Sequence, residues 1–178
     1  MRMLIRPILV ASVCAGLAGL LWAQAEKKRA SPHETTTGSI AGKKITIEYG
    51  RPYKKGRTIF GGLEPFGQVW RTGADEATTF TTEAGLMIGN LQVPAGTYGL
   101  FTIPEEKQWT LVLNKVAKQW GAFKYEQSQD LGRTPMQVRK LDAPLEQHTI
   151  TIESAGGNKG VLKIAWDQTE ASVGFTVR

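Results

Sequence analysis

The chain has 178 residues, a formal net charge of +6, two histidines and one cysteine. That length suits a single domain able to bury a core without staples, and the lone Cys14 excludes an internal disulfide framework. The positive charge is spread along the chain with no concentrated basic face, so nucleic-acid binding is not expected.

Residues 1–25 read as a cleavable secretory signal. Arg2 and Arg6 make the start positive, an apolar run occupies residues 8–22, and Ala23-Gln24-Ala25 supplies the small-x-small cleavage pattern. Cleavage there removes Cys14 and leaves no thiol chemistry, and no membrane span remains. Cys14 follows Ala11-Ser12-Val13, which lacks the leucine and small residue of a lipidation site. The expected location is the periplasm or the extracellular space, where nucleotide cofactors are scarce. Residues 26–33, with the run Glu26-Lys27-Lys28-Arg29 and with His33, read as a solvated tether.

Beyond the tether, period-2 segments alternate with turn residues and no long helical period occurs. Residues 35–41 form a weak first strand. Gly42-Lys43 turns it into residues 45–49, where Ile45, Ile47 and Tyr49 share a face. After a glycine-rich stretch, strands are expected at residues 78–82, 86–88, 91–93, 97–103 and 109–114. Later ones follow at 134–141, 148–154, 161–167 and 171–177, with a hairpin at residues 155–160. A short helical turn is possible near residues 117–123. Trp109, Leu111 and Leu113 align on one face, and Leu162, Ile164 and Trp166 on another, as two packed inner faces require. The expected fold is an all-β, single-domain antiparallel β-sandwich over residues 34–178, with jelly-roll and immunoglobulin-like arrangements not distinguished.

An ordered series of short motifs runs through the mature chain. It comprises Gly50-Arg51-Pro52, Lys55-Gly56-Arg57, Ile59-Phe60-Gly61 and Val69-Trp70-Arg71-Thr72-Gly73-Ala74. Pro94-Ala95-Gly96-Thr97-Tyr98, Trp109, Asn114-Lys115, Trp120-Gly121-Ala122, Tyr125 and Ala165-Trp166 follow. Together they resemble the bacterial domain-of-unknown-function family 2911, from about Ser31 onward. The resemblance implies an exported β-rich protein and carries no reaction with it. Asp75 stands where that family usually has Asn, and an ionised carboxylate cannot replace an amide donor.

Residues 50–78 hold the chemistry. This stretch has little strand periodicity, is longer than most connections inside a domain, and carries Arg51, Lys54, Lys55, Arg57, Trp70, Arg71, Asp75 and Glu76. As a P-loop it fails: the glycine spacing is one residue too long, Arg57 replaces the lysine, and no helix follows. Generic anion binding by Arg51 and Arg57 remains, because a guanidinium fork suits carboxylates, phosphates and sulfates. A clasp is the second reading, with Trp70 plugging the sandwich while Arg71 and Arg57 pair with Asp75 or Glu76. The third is a ligand site built from Arg51, Arg57, Arg71, Asp75 and Glu76, with Trp120, Tyr125 and His148 beside them.

His148 shares strand parity with Ile150 and Ile152, so it is either a core histidine or a base at the rim. Enzyme templates fit poorly. No G-x-S-x-G or H-E-x-x-H occurs, two distant histidines make a zinc site unexpected, and no cofactor is implied. Adjacent Asp75 and Glu76 face opposite ways on a strand, which is wrong for a carboxylate pair, unless Glu126 or Asp130 completes one. Glu126–Asp130 is a thin ligand set for Ca²⁺. The reading is therefore a non-catalytic exported module that binds a small polar or anionic ligand, or a partner in the cell envelope. The enzymatic alternative is a hydrolase or isomerase using Asp75, Glu76 and His148 with Arg71 as charge stabiliser. A purely structural module is the third.

Overall fold

In the computed structural model, residues 31–178 are described. The expected signal, residues 1–25, and residues 26–30 of the expected tether lie outside them. The strands are β1 (His33–Ile40), β2 (Lys43–Gly50), β3 (Thr78–Thr82), β4 (Leu86–Ile88), β5 (Leu91–Val93), β6 (Gly96–Ile103), β7 (Gln108–Asn114), β8 (Asp130–Ser154) and β9 (Lys159–Val177). They form one antiparallel sheet in the order β1-β2-β3-β6-β7-β8-β9-β4-β5. Among the described residues no helix is long and apolar enough to cross a membrane.

The expected strands are present, with two differences in their limits. First, β1 begins at His33, pairing it with Gly50, so the end of the expected tether is ordered sheet. Second, the four late strands merge into two long ones. Residues 141–147, which contain Pro144, stay extended but pair with β9 only at Leu145, opposite Asp167, and the β8–β9 register shifts on either side of that pair, between Lys140 and Leu145 and between Leu145 and Thr149. Backbone that keeps β geometry while losing its partners bends the sheet instead of ending it. Opposite this point Asp167 takes a φ of 53°. Residues 117–123 carry turns and no helix; the only helical turn among the described residues is 3₁₀, at Gln127–Gln129.

Those bends make two layers from one sheet. Strand β1 lies against the second half of β8, where Thr36 Oγ1 donates to the Ile150 carbonyl at 2.9 Å. A Cβ on Gly38 would stand 2.4 Å from Ile152 Cγ2, so glycine is what lets the two layers touch there. The ends of β9 also meet, Val177 N–H donating to the Asn158 carbonyl at 2.8 Å. Between the layers lies the apolar core that alternation outlined. Ile45, Ile47 and Tyr49, then Trp109, Leu111 and Leu113, then Leu162, Ile164 and Trp166, are all buried. A smaller cluster of Ala77, Phe101 and Val112, with Ala122 and Tyr125 packed on it, sits on the outer face of β6 and β7.

The stretch of residues 50–78 is a packed cap over one end of this sandwich. Bridges Tyr53–Gln147 and Trp70–Thr102 stitch it to the sheet, Glu76–Trp120 joins it to the connection between β7 and β8, and Ile59, Trp70 and Thr72 are buried. Its return passes so close to β2 that a Cβ on Gly50 would lie 2.1 Å from the Ala74 carbonyl oxygen.

Candidate functional site

Aromatic rings set the floor of the cap. Trp70 stacks on Trp166 at 6.1 Å with 19° between planes, and meets Trp109 at 6.1 Å edge-on. Phe60 reaches into the same group, 4.6 Å from Trp109. Trp70 is thus the plug that the clasp reading describes. His148 belongs to this group as well, 5.1 Å from Trp70 and 5.4 Å from Tyr49, and it is fully buried. Neither ring nitrogen has a partner in hydrogen-bond geometry. Burial, and then the nearby Arg51 charge, push its pKa down to about 3, against a small opposing effect of the Gly50 backbone. His148 is a neutral core residue at ordinary pH and lines neither cleft described below.

The arginines of the cap have three different positions. Arg51 is a clamp between layers: its guanidinium donates to the His148 carbonyl at 2.9 Å, to Thr149 Oγ1 at 2.9 Å and to Glu34 at 2.6 Å. Arg57 folds back on its own turn, Nε donating to the Lys54 carbonyl at 2.9 Å and the terminal nitrogen to the Tyr53 carbonyl. Arg71 is different. Its Nε is buried and has no hydrogen-bond partner.

Arg57 and Arg71 line a cleft of about 450 Å³ together with Lys55, Glu64, Asp75 and the edge of Trp166. Within it, burial raises the Glu64 pKa from 4.5 to about 7, although Arg71 and then Arg57 pull it down. Loss of hydration therefore outweighs two cations, and near neutral pH this carboxyl is about half protonated. The cleft then presents three cations against little more than one anion.

The cap also reorients the two neighbouring carboxylates. Asp75 has a left-handed φ of 64°, and its carbonyl accepts from Gly121 N–H at 3.0 Å. That kink abolishes strand alternation at this point. Both carboxylates therefore turn toward His33 on β1, at 3.4 Å from Asp75 and 3.3 Å from Glu76. The ionic half of the clasp is thus absent: among the described residues neither Arg71 nor Arg57 forms an ion pair with Asp75 or Glu76, and the arginines flank Glu64 instead.

The remaining candidates are elsewhere. Trp120 is 59% exposed and lines neither cleft. Tyr125 packs on Phe101 and donates to Asp130 at 2.7 Å, and Arg133 donates to both Tyr125 Oη and Asp130. Burial, with the Asp130 hydrogen bond next, pushes the Tyr125 phenol up to about 12. Of the residues that the sequence reading grouped as one site, Arg57, Arg71 and Asp75 line this cleft, and Glu64 and His33 were not among them. Only the pair Gly61-Gly62, which lets the chain fold back from Phe60 to Glu64, hinted at the first. His33 lay in the tether, where nothing in the pattern marked it.

A family model described as "Protein of unknown function (DUF2911)" matches residues 31–175. The chain belongs to that family. Neither a curated protein nor a solved structure matches it.

Proposed function

We propose that this member of the DUF2911 family is a non-catalytic binding module that takes a small anion into the cleft between Arg57 and Arg71. One observation carries the reading: Arg71 lines the cleft, and its Nε is buried with no acceptor from the protein. A buried N–H without a partner is costly, and a charged one more so, so a site of this kind gains by accepting an oxyanion. Lys55 and Arg57 add charge of the same sign, and Glu64 in its protonated form can donate a hydrogen bond to the ligand. Carboxylates, sulfates and phosphate esters share the required chemistry. Enclosure of His148 in the core favours binding over the enzymatic alternative, which needs that imidazole as a base. The signal pattern of residues 1–25 supports a setting outside the cytoplasm.

A thermal-shift screen of sulfate, phosphate, organic acids and sulfated sugars tests this. A ligand at a hundred times its Kd stabilises by about 2.7 kcal/mol, or roughly 5–10 °C for a domain of this size. The shift should vanish in Arg71→Ala and shrink in Arg57→Ala. A screen without any shift, or a shift that Arg71→Ala leaves intact, overturns the proposal.

A further inference from the structure

We infer that His33, Asp75 and Glu76 form a binding site for a first-row divalent cation, with Zn²⁺ or Mn²⁺ as the fitting class. The inference departs from the sequence expectation of no metal. It does not rest on the anion-binding reading, although Asp75 borders both places.

The geometry of the donors is the first argument. One imidazole nitrogen and two carboxylate oxygens from three side chains lie within 4.8 Å of one another. The two distances from His33 Nε2 are 3.4 and 3.3 Å. Ligands on a tetrahedral Zn²⁺ with bonds of about 2.0–2.1 Å are separated by about 3.3–3.4 Å, because a tetrahedron's edge is about 1.6 times its radius. The two edges from His33 thus have the spacing of tetrahedral ligands, and the carboxylate–carboxylate edge is held within 4.8 Å.

Rigidity is the second. His33 is held in the β1–β2 ladder opposite Gly50, Asp75 is fixed by its left-handed turn and by Gly121, and Glu76 is bridged to Trp120. Three donors on two anchored segments need little rearrangement to close on an ion. His33 and Glu76 make further interactions besides these, so an ion enters by exchange of partners.

A third observation is independent of the donors. His33 and Glu76 border a cleft of about 350 Å³ that Gln119 also lines, and Gln119 Oε1 is buried without a donor. A buried carbonyl oxygen without a donor is destabilising. A cation that keeps a water or takes a fourth ligand from this side supplies what that oxygen lacks. Donor chemistry selects the metal: an imidazole with two carboxylates suits Zn²⁺ or Mn²⁺, whereas Ca²⁺ takes six to eight oxygens.

The test uses tag-free protein stripped with a chelator, with Zn²⁺, Mn²⁺ and Ca²⁺ as probes in equilibrium dialysis and calorimetry. One Zn²⁺ or Mn²⁺ per chain is expected, with Ca²⁺ bound far more weakly. His33→Ala and Asp75→Asn should each lower Zn²⁺ affinity at least about tenfold. Melting curves of both variants in chelator check that they fold. Asp75→Asn preserves shape, so if His33→Ala loses structure, the former alone decides. Failure to take up Zn²⁺ or Mn²⁺, Ca²⁺ bound as tightly as either, or uptake that the folded variants retain in full, overturns the site.

Discussion

Replacing Glu64 by glutamine should make the domain more stable at pH 8 and leave it unchanged at pH 4. Glu64 has a folded pKa of about 7 against an ordinary value of 4.5. A carboxyl raised in this way is neutral in both states below 4.5, so it costs nothing there. Between 4.5 and about 7 the folded state holds the proton that the unfolded state has released, and stability falls as pH rises. Above about 7 the loss is complete. Each pKa unit is worth about 1.4 kcal/mol, which sets an upper bound of about 3.5 kcal/mol. Glu64 is only partly buried, and solvent screening reduces this to about 1–2 kcal/mol. For a domain of this size that is roughly 3–8 °C in melting temperature. Glutamine keeps the shape and removes the charge. The assay is a pair of melting curves, wild type and Glu64→Gln, at a series of pH values in a buffer free of multivalent anions that could bind Arg71. The gap should be near zero at pH 4 and open through pH 6 and 7. A gap independent of pH, or one in favour of the wild type at pH 8, refutes the burial argument for Glu64.

The same carboxyl should control anion affinity: sulfate, whose charge is constant, should bind the cleft more weakly at pH 8 than at pH 6, as read by calorimetry. His148 works in the opposite direction. Its folded pKa is depressed to about 3 from 6.5, so the stability it confers is present above 6.5 and is lost as pH falls toward 3. His148→Leu should therefore show a smaller drop in melting temperature between pH 6.5 and about pH 4 than the wild type, with neutral-pH stability kept. Gly50→Ala should cost several kcal/mol, on the order of 3, because its Cβ would meet the Ala74 carbonyl at 2.1 Å and backbone must move. Denaturant unfolding reads this directly. Asp130→Asn should destabilise by about 2 kcal/mol, since Asp130 accepts from Tyr125, Arg133 and Asn114 in a half-buried network. An unchanged unfolding midpoint would show that water replaces those bonds without loss.

The core was legible in the sequence where side-chain alternation carries the information. The Trp109–Leu113 and Leu162–Trp166 faces follow from a period of two, and they are buried as that period requires. Parity also placed His148 with Ile150, though whether it sat in the core or at a rim needed the rings of Tyr49, Trp70 and Trp166 around it. Arg57 and Arg71 were marked by residue type in an irregular stretch. Arg51 was marked in the same way, yet it is a clamp between layers, and nothing local distinguishes the two roles. Asp75 and Glu76 were judged by strand alternation, and the left-handed turn at Asp75 removes the premise.

What the sequence determined by itself is the all-β class, the strand positions and the identity of the buried faces, because these depend on neighbours two residues apart. Residues 1–25 also carry the compositional pattern on which the proposed setting outside the cytoplasm rests. Only the tertiary structure decided that late strands bend to close two layers, that Glu64 rather than Asp75 faces Arg71, and that His33 meets both acidic neighbours from a strand more than forty residues away. Those are contacts between distant segments, and their chemistry depends on burial, which a linear pattern expresses only on average. The cap over one end of the sandwich was visible as an unusual stretch of residues. Its two clefts exist because Trp70 anchors it and Gly50 lets it pass.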